Sequence, residues 1–371
     1  MTNKQRFIDY VKHGGSKPVC SVQIGAGAGY DTKMAGKEWI TETTLEDTIK
    51  VCETYDMLPL YNLGVDILLP SGLSWKPVFE EITAASRKWS YEIPTPYGAL
   101  KQTVVELKHK GVTRIADPVN GEEDLDKFEW LLDKILEGDF SRVTEAAAPT
   151  AAFIGGRGAV DFQWGMQPYE LFSYPNTLNT MYLAMDCGER FLKLMDKCLA
   201  ISEKIVGCIS EAKGDFCFLG GPAAEMVNPY IYEKFMVPYG KKISGAAHKA
   251  GLLIYSHVCS PVEPFLTKGY FNQLGIDLFE TLSMKPVGNV ISIEDAFGKI
   301  DANICTRGNI GLDRLMNGTP GEIIADVNHI MDMAVKFKRK HLVAASDYLM
   351  TECKPENIKA ICDAVKNYKI N

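Results

Sequence analysis

The sequence predicts an α/β protein: a single (β/α)8 TIM barrel over residues 1–371, with an inserted β-hairpin after the second strand. Three observations predict it. Short apolar runs bounded by Gly or Pro alternate about eight times with longer stretches of helical periodicity. No Ser/Pro-rich linker or charged tail divides the chain into two units. A length of 371 residues is long for most single cores but normal for a barrel with insertions.

The chain opens with a helix over 2–13, its apolar side formed by Phe7, Ile8, Tyr10 and Val11. Lys17–Gln23 reads as the first strand, followed by the Gly-rich loop 25–29. That loop lacks a Walker lysine and any dinucleotide spacing, so it reads as close backbone approach at a barrel mouth. Thr44 caps a helix over 43–58, with Asp47 three residues on. Gly64–Pro70 is the expected second strand. Residues 88–92 and 101–108 flank Pro94-Thr95-Pro96-Tyr97-Gly98 and predict the hairpin.

A helix over 121–137 follows, then a third strand at Pro149–Gly155 and a loop through Phe162 and Trp164. Helical patterns over 168–174 and 188–212 precede a fourth strand, Gly214–Gly220, and a helix over 229–250 precedes a fifth, Gly251–Cys259. The sixth, seventh and eighth strands are expected at Gly275–Glu280, Asn303–Asn309 and His341–Ser346. Helices at about 261–273, 293–299 and 320–340 separate them, and one over 355–368 closes the chain.

Hydrophobic residues make up 46% and charged residues 23%, the balance of an ordinary globular protein. A net charge of −7 argues against a nucleic-acid or anionic-membrane surface. The first residues carry no signal-peptide pattern, and no stretch approaches a membrane span. Ten cysteines without framework spacing suggest reduced thiols in a cytoplasm. The chain leaves a homodimer open.

The stretch with chemical content is Leu252–Cys259. A short apolar run leads into His257 and Cys259, two residues apart, so both side chains leave an extended backbone on one side. Imidazole plus thiolate suits zinc, though two ligands do not complete a site. In a barrel, functional groups collect at the C-terminal ends of the strands. Glu225, Glu280 and Asp347 are at such ends and are candidates for a third ligand, with Glu225 and Asp347 preferred; Asn309 joins Glu225 and Asp347 as a catalytic candidate. Gln23, Phe162, Trp164 and Tyr348 are candidate substrate contacts on the mouth loops.

The order His257-Val258-Cys259, Gly275-Ile276-Asp277, Arg307-Gly308-Asn309-Ile310, 317–323 (NGTPGEI) and 354–358 (KPENI) resembles the uroporphyrinogen decarboxylase superfamily. Weaker likeness at Arg6, Gly64-Val65-Asp66, Asn228-Pro229 and Pro238-Tyr239 extends it over nearly the whole chain. The resemblance implies a barrel and one of two chemistries. True uroporphyrinogen decarboxylases carry an arginine-rich segment after the first strand; here 22–27 read Val-Gln-Ile-Gly-Ala-Gly. A substrate with many carboxylates needs cationic clamps, which this segment lacks.

The cobamide-dependent methyltransferases of the same superfamily bind zinc through His-x-Cys after the fifth strand and a cysteine after the eighth. His257 and Cys259 match. The later cysteine position reads Ser346-Asp347-Tyr348, and Cys353 comes several residues late. An oxygen ligand there would make the metal a harder Lewis acid, suited to polarising an ether or amine. The resemblance therefore implies methyl transfer from a small methylated substrate, such as a methoxylated aromatic, to the corrinoid of a separate partner protein. The alternatives are a thiol-methylating relative, a decarboxylase of a porphyrinogen or smaller carboxylate using Asp66 with Arg157 or Arg307, and a non-catalytic binding barrel.

Overall fold

In the computed structural model, residues 1–65, 76–172, 177–222, 224 and 226–370 are described. The strands are β1 Val19–Cys20, β2 Leu60–Gly64, β3 Lys76–Ile82, β4 Ser86–Thr95, β5 Gly98–Leu107, β6 Gly111–Ala116, β7 Ala159–Gln163, β8 Phe216–Phe218, β9 Leu253–His257, β10 Leu278–Glu280, β11 Cys305–Ile310 and β12 His341–Ala345. Eight of them form one parallel sheet in the order β1-β12-β11-β10-β9-β8-β7-β2. The sheet curls as a (β/α)8 barrel does, and Leu58 N donates to Cys20 O at 2.9 Å across the seam between its first and last strands.

Alternation along the strands explains the curl. One residue from nearly every strand enters a common apolar layer: Leu60, Ala159, Phe216, Leu253, Leu278, Cys305 and Leu342. The helix Asn3–His13 packs Phe7, Tyr10 and Val11 onto that layer. Phe7 meets Phe216 edge-on at 5.8 Å, and Tyr10 donates to His341 O. The N-terminal ends of the strands are thereby plugged with hydrocarbon. Polar side chains accumulate one layer further on, at the C-terminal ends.

Three expectations need correction. Pro149–Gly155 is not a strand: it lies in and just beyond the helix Ser141–Ile154, and the third barrel strand is β7. Alanine-rich sequence favours helix, and the context tolerates Pro149 within it. The second barrel strand starts earlier than expected, at Leu60, and residues 66–70, including Asp66, lie outside the described residues. After β2, β4 and β5 pair as the expected antiparallel hairpin, but β3 and β6 flank it, so the insertion is a four-stranded sheet, β3-β4-β5-β6, where only two strands were predicted. Its inner side buries Trp89, Ile93, Leu100 and Val104.

The remaining barrel strands lie within or, for β11, one residue past their expected spans, and are shorter because only the paired core of each run joins the ladder. No described helix is long and apolar enough to cross a membrane.

Candidate metal centre

On β9 the two-residue beat sends Leu253, Tyr255 and His257 into the barrel, and Cys259 keeps that beat just past the strand end. Asp347 follows β12, whose exit loop is pinned twice. Ser346 N donates to Ile310 O at 2.7 Å, and Leu349 N donates to Gln23 O at 3.0 Å. These constraints bring ligand atoms of His257, Cys259 and Asp347 within 4.8 Å of one another. His257 Nε2 is 3.4 Å from Asp347 Oδ1. Nitrogen, sulfur and carboxylate oxygen thus face one point, a donor set that fits zinc and leaves a fourth position for substrate.

Glu280 decides which imidazole nitrogen faces that point. His257 Nδ1 donates to Glu280 Oε1 at 2.6 Å, so Nε2 is the free ligand atom. The same Oε1 accepts from the Tyr255 hydroxyl. Glu280 Oε2 accepts from Gln23 Nε2 at 3.2 Å and pairs with Arg307 Nη1 at 3.0 Å. With both oxygens doubly engaged and 0% exposure, Glu280 orients the histidine instead of serving as the third ligand that its position at a strand end suggested. Burial alone would raise its carboxyl pKa, but Arg307 and His257 hold it below the ordinary value. Burial alone would lower the His257 pKa; Asp347, Cys259 and Glu280 instead hold it well above the usual range. A proton held on Nε2 would have to leave before that nitrogen could bind a metal.

The other sequence candidates separate clearly. Tyr348 is at the site: its hydroxyl is 3.0 Å from that of Tyr255, and its ring centroid is 5.2 Å from that of His257. Gln23 is also there, through Glu280. Asn309 is buried and donates to Leu282 O at 3.1 Å, so it clamps the loop after β10 and does not join the ligand cluster. Phe162 and Trp164 are not substrate contacts at the mouth. Phe162 faces outward toward Gly214, and Trp164 is buried with its indole N–H donating to Ser202 on the helix Gly188–Glu211. Arg157 is not at the mouth either, since it precedes β7 and donates to Phe153 O and Ile154 O at a helix end. Arg307 is buried and committed to Glu280 and Ser21 O. Cys353 is buried outside the ligand cluster. Glu225 lies outside the described residues.

The residue the sequence reading missed is Asp161. It pairs with Asn62 across β2 and β7, and is fully buried. Asn62 Nδ2 and Gln163 Nε2 donate to its Oδ2 at 2.8 and 3.1 Å. Burial pushes its carboxyl up to about 7, against those two hydrogen bonds, with Glu280 adding a smaller rise. The available signal was a charge within the apolar run Ala159-Val160-Asp161-Phe162 after Gly158. An acid raised on folding favours the native state at low pH, and that advantage disappears between the unfolded value of about 3.9 and the folded value. Asp161→Asn should therefore gain stability relative to the wild type between about pH 4 and pH 7, by a few kcal/mol. Urea midpoints at both ends of the window check this, and a constant difference would contradict it.

The family model for uroporphyrinogen decarboxylase (URO-D) matches residues 91–368, and the chain belongs to this family. Among solved structures, a methyltransferase from Methanosarcina mazei matches end to end, covering 99% of this chain and 98% of its own, with a TM-score of 0.69 and 15% identity. At that identity the likeness establishes the shared fold. A 3-keto-D-glucoside 4-epimerase from E. coli (11% identity, 65% and 92% coverage) has a TM-score of only 0.35 and carries no argument. No curated protein sequence matches the chain.

Proposed function

We propose that this member of the URO-D family is a zinc-dependent methyltransferase, moving a methyl group from a small methylated substrate, such as a methoxylated aromatic, to the corrinoid of a partner protein. The observation that supports it most is the convergence of His257, Cys259 and Asp347 at the C-terminal mouth. Zinc held there would act as a Lewis acid, lowering the basicity of the heteroatom that loses its methyl group.

The chain's own residues supply the setting. Glu280 holds the His257 tautomer, and Arg307 compensates its charge. Because Tyr255 donates to Glu280, the bond between the two tyrosines runs from the Tyr348 hydroxyl to Tyr255. That chain holds the Tyr348 ring beside the imidazole as a flat apolar wall, the surface an aromatic substrate needs. Asp347 contributes charge without a second thiolate, leaving a harder centre suited to an ether or amine.

The test is elemental analysis of the purified protein, followed by assay of a methyl-donor panel with reduced cobalamin. One zinc per chain and methylcobalamin formation from at least one donor are expected; a metal-free protein active on none would refute the reading. Uroporphyrinogen should not be decarboxylated, because 22–27 contain no arginine and Arg307 is already ion-paired. Coproporphyrinogen formation at ordinary enzyme levels would reverse that conclusion.

A further inference from the structure

Three acceptor oxygens in the barrel mouth have no hydrogen-bond partner among the described residues: Gln23 Oε1, Asn62 Oδ1 and Asp161 Oδ1. Their orientation follows from what holds the other end of each group. Gln23 Nε2 lies between two acceptors, Glu280 Oε2 at 3.2 Å and Ala345 O at 3.1 Å, so its amide cannot be turned over without setting oxygen against oxygen. Asn62 Nδ2 faces Asp161 Oδ2 and is fixed in the same way. Asp161 Oδ2 already accepts two N–H groups, which leaves Oδ1 to face outward from the cluster. Gln23 and Asp161 are both 0% exposed.

The three residues stand on, or just beyond, three strands that follow one another around the barrel: β1, β2 and β7. Gln23 joins this wall to the metal centre, because the carboxylate it holds is the one that orients His257. Phe162 points outward from β7, so Asp161, its neighbour, points into the lumen. The wall presents acceptor oxygens that lack donors. A carboxylate or phosphate would be repelled there; a group that donates hydrogen bonds would complete it. Arg307 Nη2 has no hydrogen-bond partner among the described residues, but Glu280 neutralises the guanidinium and leaves little charge to attract an anion.

We propose that Asp161, Asn62 and Gln23 form a substrate subsite that recognises a hydrogen-bond-donating group of the methyl donor, a phenolic O–H beside its methylated oxygen or an ammonium N–H on its methylated nitrogen. This rests on the methyltransferase reading and narrows its substrate class. It makes o-methoxyphenols or methylammonium ions the favoured donors, and fully capped ethers or quaternary ammonium ions poor ones. A site whose buried polar atoms await a donor rejects the analogue that lacks it, because those atoms would stay unpaired.

Calorimetric titration of the full-length, zinc-loaded protein tests this without requiring turnover. The ligands are 2-methoxyphenol against 1,2-dimethoxybenzene, and methylammonium against tetramethylammonium. One donor-bearing member should bind at least about tenfold tighter than its capped analogue, and the pair that shows the preference identifies the donor as phenol or ammonium. In Asp161→Asn and Asn62→Leu, checked for unchanged zinc content and circular dichroism, that preference should fall to about twofold or less. Equal binding of capped and uncapped ligands, a preference that survives in a folded variant, or no binding at millimolar concentration would overturn the subsite. Donor-selective binding without methyl transfer would instead remove the methyltransferase reading and leave the subsite standing.

Discussion

His257→Ala should lose most of its bound zinc and, with it, methyl transfer. The imidazole is one of three side chains within 4.8 Å of one another, and a site of three protein ligands rarely survives loss of one. The effect should exceed that of removing the group that merely orients the histidine. Glu280→Gln can still accept one hydrogen bond from Nδ1, and outer-shell changes of this kind cost about 10–100-fold in metal affinity. Metal content after dialysis against a weak chelator ranks the two variants. Full zinc occupancy in His257→Ala would remove His257 from the site.

The second large effect should come from Arg307→Met. Arg307 and Glu280 are both 0% exposed, and their nearest charged atoms are 3.0 Å apart. Removing the guanidinium leaves a carboxylate buried with only Gln23, Tyr255 and His257 around it. Breaking a buried pair from one side costs about 3–5 kcal/mol, because the remaining charge is stranded. The sign of the pH dependence follows from the folded-state pKa. Arg307 helps to hold the Glu280 carboxyl below its ordinary value, so its contribution is present above the unfolded value of about 4.3 and lost as pH falls through the folded one. The stability deficit of the variant should be largest near neutrality and shrink in acid. Urea unfolding at pH 7 and pH 4 measures it, and a deficit below about 1 kcal/mol at pH 7 would mean that the pair does not hold the barrel interior together.

How much of this was legible in the sequence depends on the range over which each feature is determined. His257 and Cys259 could be placed because their geometry is local: one strand and its two-residue period. Asp347 entered as one of two equally weighted acids because the eighth strand was correctly located; the other, Glu225, lies outside the described residues. The role of Glu280 was hidden, since a carboxylate at a strand end reads equally as ligand or as orienter until the partners of both its oxygens are known. Asp161 was hidden for a different reason. Reading the alanine-rich run before it as the third strand put Ala159–Gln163 into a loop, where an acid is unremarked and an aromatic looks like a substrate contact. The same shift made Phe162 and Trp164 appear to line the mouth, although the parity of β7 sends Phe162 to the helical layer. The additional strands beside the expected hairpin were missed because 76–82 and 111–116 carry mixed polar and apolar residues on a sheet exposed on one side.

What would distinguish the proposed centre is the carboxylate of Asp347 in the position where the resemblance would place a second thiolate. X-ray absorption at the zinc edge of the loaded protein addresses that directly, because sulfur neighbours at ~2.3 Å separate from nitrogen and oxygen at ~2.0–2.2 Å. One sulfur per zinc, with the remaining neighbours nitrogen and oxygen and the oxygen contribution changed in Asp347→Ala, is the predicted result. Two or more sulfurs per zinc, or a spectrum indifferent to Asp347→Ala, would contradict it and return the site to a thiolate-rich, thiol-methylating type.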